Sequence, residues 1–226
     1  MGAALSIRLT FTDQVQRFQG GVLRVDFYGN LKHTGAVGAI GFRGRTLNSL
    51  RFRVPPNGNF GVVLRTINEL AYPPTAVPAE QINFAVLELV SNSLRAHREK
   101  AVADPVLVEI SGADSQLLIR IIDRGGGFDL SRLPYRFDED VSHIDLMSEN
   151  FVAYRASYDN SRFGMGLVAT RRVFPGFRLY FVDQAMQPCR WPSKFIVGTV
   201  VELPIPLEPE PPAEAATEVA DVEVAS

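Results

Sequence analysis

An α/β domain is the fold this sequence predicts, and three observations predict it. Strand-like apolar stretches recur at residues 6–11, 22–28, 50–54, 106–110, 116–122 and 177–182, and the first two alternate cleanly between apolar and polar positions. Residues 78–103 contain no internal glycine or proline and form the strongest helical stretch of the chain. Helices and strands then interleave, with further helices predicted over 60–71 and 165–173.

The elements follow in order. Residues 4–54 read as strand-rich, with Ile7, Leu9 and Phe11 on one face and Leu23, Val25 and Phe27 on another. Glycines at 20, 21, 29, 35, 38, 41 and 44 punctuate turns. The glycine-rich run 35–41 lacks both a phosphate-loop ending and dinucleotide spacing, so it reads as turn and strand packing. Pro73 and Pro74 stop the helix over 60–71, and Pro78 suits the start of the next. Residues 111–114 read as a hairpin turn between two strands. Residues 128–163 form a long polar connection with a short helix near 140–154, a length typical of lids and binding loops. A last strand is predicted over 195–204. Residues 207–226 carry six acids and no base and are rich in Pro, Ala and Glu, so a disordered acidic tail is expected there.

Composition bounds the function. Apolar residues make up 46% and charged residues 21%, which places the chain among globular domains. A net charge of −2 points to neither nucleic acid nor an anionic membrane, and no apolar run is long enough to span a bilayer. Without the acidic tail the body is mildly basic, compatible with an anionic ligand. The one cysteine, Cys189, cannot form an intramolecular disulfide, which fits a reducing, cytoplasmic compartment. The start, Met1-Gly2-Ala3-Ala4-Leu5-Ser6, fits the short and common myristoylation pattern, a weak signal.

Four features carry chemistry. On the long helix, a 100° step per residue puts Glu88, Asn92 and Arg95 on one stripe, opposite Val86, Leu89, Val90 and Leu94. Alone, such a stripe is more often paired internally or solvated. An apolar strand then runs into Asp123, followed by Gly125, Gly126 and Gly127. Glycines admit positive φ and close approach of a ligand, and a carboxylate at a strand end can accept from an exocyclic amine. Third, Gly164 and Gly166, with Leu167, precede a helix whose N-terminal amides suit phosphate. Fourth, Gly198-Thr199 opens the last strand. Singly, each is weak.

In that order and on those elements, Glu88-x-x-x-Asn92, Asp123-x-Gly125-x-Gly127, Gly164-x-Gly166-Leu167 and Gly198-Thr199 resemble the ATPase superfamily of histidine kinases, Hsp90, gyrase B and MutL (GHKL) over residues 80–204. Within it the chain resembles the anti-sigma-factor serine kinases, in which the Glu also sits four residues before the Asn. The resemblance implies the Bergerat fold: a two-layer α/β sandwich with helices on one face of a mixed sheet and the nucleotide between helix and lid. Residues 49–206 would form that ATP-binding domain and residues 1–48 a β-rich N-terminal extension, which either prolongs the sheet or makes a dimerising subdomain.

Roles are implied with it. Asn92 would coordinate Mg²⁺ and Arg95 would face phosphate. Asp123 would accept from the adenine amino group of ATP, with Thr199 assisting through a water. Gly125 and Gly127 would let the chain pass close to the nucleotide. Gly164, Gly166 and Leu167 would shape the lid, and Glu88 would be the general base on an attacking hydroxyl. There are departures. Where many serine kinases of this group carry His, this chain has Ala96, with His97 one residue further on. Arg162 stands where histidine kinases often have Gly. The lid is acidic (Asp138, Glu139, Asp140, Asp145, Glu149). Residues 1–48 have no counterpart in the family.

Three readings follow from the resemblance. The first is a kinase that phosphorylates Ser or Thr on a partner protein, a sigma factor or its antagonist, and also sequesters it. The second is a non-catalytic nucleotide-gated binding module. The third is a histidine-kinase catalytic domain without its own phosphoacceptor helix, which ranks last because His33, His97 and His143 all sit in unsuitable places.

Overall fold

In a computed structural model, the protein is described over residues 12–18, 21–28, 38–113, 115–157 and 164–209, with the first two segments as backbone. The strand expected at 6–11, the turn residue Asp114, Arg162, His33 and the tail from residue 210 lie outside the described residues. In chain order the elements are β1 (Thr12–Phe18), β2 (Gly21–Tyr28), β3 (Ile40–Phe42), β4 (Arg45–Leu47), β5 (Ser49–Val54), α1 (Phe60–Asn68), β6 (Leu70–Ala71), α2 (Ala79–Glu99), β7 (Val106–Ala113), β8 (Gln116–Asp123), α3 (Glu149–Ala156), α4 (Met165–Val173), β9 (Arg178–Val182), β10 (Pro188–Cys189) and β11 (Gly198–Pro206).

The main sheet has eight strands in the order β1-β2-β5-β7-β8-β11-β9-β10, and β4-β3-β6 form a small second sheet. Every neighbouring pair in the main sheet is antiparallel, which corrects the expectation of a mixed sheet. The reason lies in strand order. β8 and β9, joined through α3 and α4, run the same way, but β11 is inserted between them and opposes both. Through β2, which pairs with β5, the N-terminal strands prolong this sheet.

Alternation decides which face the helices cover. Leu50, Phe52 and Val54 of β5 are opposite Ile110, Val108 and Val106 of β7, and the row continues through Ile119 and Ile121 of β8 to Leu203 and Val201 of β11. These side chains are buried together with Val63 and Ile67 of α1 and with Ile82, Val86, Leu89, Val90 and Leu94 of α2. The opposite parity carries charge: Arg51, Glu109, Arg120, Glu202 and Arg178 are neighbours across five strands. Arg120 bridges Glu109 and Glu202, each at 3.3 Å.

Two helices are shorter than the sequence predicts. α1 ends at Asn68, because Leu70 and Ala71 pair with Phe42 and Gly41 in the small sheet. α2 ends at Glu99 in a Schellman arrangement. Ala101 adopts φ 52°, its amide donates to the Arg98 carbonyl, and the Val102 amide donates to the His97 carbonyl at 2.8 Å. The last strand starts at Gly198 rather than 195. Past Pro206 the chain remains bonded: the Leu207 amide donates to the Ser115 carbonyl and the Glu208 amide to the Pro74 carbonyl.

Candidate functional site

β8 brings Asp123 to the helix-covered face at its last position, directly opposite Thr199 of β11. Asp123 is 8% exposed and Thr199 5%. A carboxylate this buried needs hydrogen-bond donors. Its Oδ2 accepts from the Ser93 hydroxyl at 3.0 Å and its Oδ1 from the Gly125 amide at 2.8 Å. Burial pushes the Asp123 carboxyl above the ordinary carboxylate range, while those two hydrogen bonds and any charge on His97 pull it back. The Thr199 backbone is a third donor to the carboxylate, which leaves one acceptor position that can still accept from an exocyclic amine.

The glycines around Asp123 serve packing within the protein. A β-carbon on Gly125 would stand 2.6 Å from the Ala96 β-carbon, so Gly125 and Ala96 together let this loop lie against α2. Gly126 and Gly127 both have positive φ, and a β-carbon on Gly127 would fall 2.8 Å from Ile196 and 2.9 Å from Phe181. A side chain on Gly198 would collide with the Asp123 carbonyl. The sequence reading expects Gly125 and Gly127 beside a nucleotide; a β-carbon on them would meet Ala96 of α2 and Ile196 and Phe181 respectively.

Ser93 and His97 are the residues that sequence reasoning missed. Their signal was present. On the helical wheel both fall inside the apolar stripe of Val86, Leu89, Val90 and Leu94, where a polar side chain must find a partner. His97 is fully buried. Its Nδ1 lies 2.9 Å from the Asp104 carbonyl, and its Nε2 accepts from the Arg124 amide at 2.8 Å. With both ring nitrogens engaged, His97 is no candidate phosphoacceptor. His143 is exposed, in a short 3₁₀ turn of the connection between β8 and α4.

The other stripe of α2 holds the remaining candidates. Arg95 Nη2 donates to Asn92 Oδ1 at 2.6 Å, so the two residues placed on one stripe are bonded to each other. Glu88 lies against the first turn of α4, where any side chain on Gly166 would overlap its carboxylate. Gly164 caps α4 with φ 77°, next to the Tyr154 ring, and Leu167 packs against the main core. α2 therefore carries both groups: Ser93 and His97 toward the Asp123 loop, and Glu88 toward α4.

The connection from β8 to α4 has a core of its own, in which Ile144, Phe151 and Val168 are buried with Tyr135, Val141, Leu146, Tyr154 and Met165 around them. Arg171 and Arg172 of α4 hold it by donating to the carbonyls of Glu139, Val141 and Ile144. Its acids close local turns: Asp140 accepts from the Ser142 amide and Asp145 from the Met147 amide. The Ser142 amide and hydroxyl, both donating to Asp140, hold its carboxyl below its usual range. A separate apolar cleft of about 170 Å³ lies between α2 and α4, lined by Phe84, Ala85, Val173 and Phe174 among others, away from Asp123 and Asn92.

No protein-family model matches the chain, and no curated protein is significantly similar to it in sequence. Among the described residues, no helix is long and apolar enough to cross a membrane, and no group of three or more His, Cys, Asp or Glu side chains could hold a metal ion.

Proposed function

We propose that this chain is an ATP-binding domain of the histidine-kinase and Hsp90 type, with the Bergerat arrangement, and that it phosphorylates Ser or Thr on a partner protein in the manner of anti-sigma-factor kinases. The observation that carries the reading is Asp123: a buried carboxylate at a strand end, oriented by Ser93 and Gly125, facing Thr199, with an acceptor lone pair still to offer. A purine amine would satisfy it. The first turn of α4 offers amides for phosphate, and Arg95 adds a positive charge.

Mg²⁺ fits this set of residues as an ion that arrives with its nucleotide. Asn92 offers one amide oxygen, and the remaining ligands would be phosphate and water, the usual company of this ion. Bound there, it would neutralise charge on the transferring phosphoryl group. The chain's own part is positional: Arg95 leaves Asn92 for phosphate, Glu88 takes the proton of the attacking hydroxyl, and Asp123 fixes the base. The partner would be a sigma factor or its antagonist.

A second reading, a nucleotide-gated binding module without catalysis, draws on the same geometry. Asn92 is bonded to Arg95 and Glu88 is packed on α4, so both catalytic candidates are engaged within the protein. Calorimetric titration with ATP and ADP, with and without Mg²⁺, tests the shared premise. Mg²⁺-linked binding is expected; no binding at millimolar nucleotide would sink both readings. The variant Glu88→Ala separates them. Retained ATP binding with loss of partner phosphorylation supports the kinase, and unchanged control of the partner supports the module.

A further inference from the structure

We propose that His97 is the positioning residue that holds the Asp123–Gly127 loop on α2, and that losing its Nε2 acceptor releases the loop and weakens adenine binding. The proposal rests on the nucleotide reading above for its functional half only. The structural half stands on two hydrogen bonds whose directions are fixed. The Asp104 carbonyl can only accept, so Nδ1 carries the proton. The Arg124 amide can only donate, so Nε2 presents a lone pair. One tautomer of a neutral ring satisfies both, and the ring is wholly buried.

Arg124 is the residue immediately after Asp123, and Gly125 follows as the donor to Asp123 Oδ1. The imidazole thus fixes the backbone between the carboxylate and one of its orienting donors. The Asp123 carboxylate and the His97 ring lie close enough to interact electrostatically, and Lys100 lies beside Gly126. Without an acceptor at the Nε2 position, the Arg124 amide would lose this partner. The loop would then lift from Ala96, and Gly125 would leave Asp123.

The test uses the full chain and three forms of residue 97. His97→Gln puts an amide oxygen near the Nε2 position. His97→Asn reaches only the Nδ1 position and offers the Arg124 amide nothing. Protection of the Arg124, Gly125 and Gly126 amides against hydrogen exchange is followed by NMR at one pH, beside ADP affinity and melting temperature. In His97→Asn, both protection and affinity are expected to fall roughly tenfold, the size of one lost buried hydrogen bond. His97→Gln should restore both. Equal losses in His97→Gln and His97→Asn would overturn the proposal, and so would full protection in His97→Asn. If protection behaves as expected while the wild type binds no nucleotide, the latch stands and the nucleotide reading fails.

Discussion

At the scale of single residues, Asp123 shows how a buried polar group can oppose the fold that carries it. Burial raises its carboxyl above the ordinary range, so the folded chain takes up a proton more readily than the unfolded one. The sign follows from linkage. A carboxyl raised on folding weakens the fold while ionised, and stability is recovered as pH falls through the folded value. Asp123→Asn removes that burden. An amide oxygen can still accept from Gly125, and its NH₂ can donate to the Ser93 hydroxyl. The variant should melt at the same temperature as wild type or a few degrees higher at pH 8, with the wild type gaining on it as the solution is acidified, which calorimetry at several pH values would reveal. Its affinity for ADP should fall by about 1–3 kcal/mol, the worth of a hydrogen bond to a charged acceptor. An unchanged affinity would remove Asp123 from the site.

Single elements show where local preference yields to packing. α2 ends on Ala101 in the left-handed region, a conformation that suits glycine far better. Ala101→Gly should raise stability by about 0.5–1 kcal/mol, the strain relieved less the added freedom of the unfolded chain. Urea denaturation measures it, and a loss of stability would mean that the Ala101 methyl group makes a contact that outweighs the strain. The same helix presents two polar stripes of different meaning. The outer one, Glu88-Asn92-Arg95, was visible from spacing alone. The inner one, Ser93-His97, looks like a flaw in an apolar face until β8 supplies Asp123 and Arg124 as partners.

Across the whole molecule, the antiparallel sheet puts the helices and Asp123 on one face and an alternating row of ions on the other. The arginines of the row are 35–72% exposed and its glutamates 16–18%, and Arg120 bridges it strand to strand. Exposed pairs of this kind contribute little individually, about 0–1 kcal/mol. Chain closure matters more. Leu207 packs on the main core, and its amide and that of Glu208 bond to Ser115 and Pro74. Deleting residues 210–226 should therefore leave the melting temperature and ATP affinity unchanged. Deleting from 207 should lower stability by about 1–3 kcal/mol, the loss of a partly buried leucine and two backbone bonds. Equal melting temperatures for the two truncations would show that the fold ends at Pro206.

What the sequence determined by itself was local: which stretches alternate, where the long helix lies, and that an acid ends the β8 strand before three glycines. Those features depend on neighbours within a few residues, and periodicity records them. Tertiary structure decided everything that depends on distant partners. It inserted β11 between β8 and β9, so the sheet became antiparallel rather than mixed. It set Gly125 against Ala96, tied Asn92 to Arg95 and gave Ser93 and His97 their partners. A hydrogen bond across 30 residues leaves no spacing in the sequence to read. It becomes visible only when the two elements are packed, because burial is what obliges each polar group to find its partner.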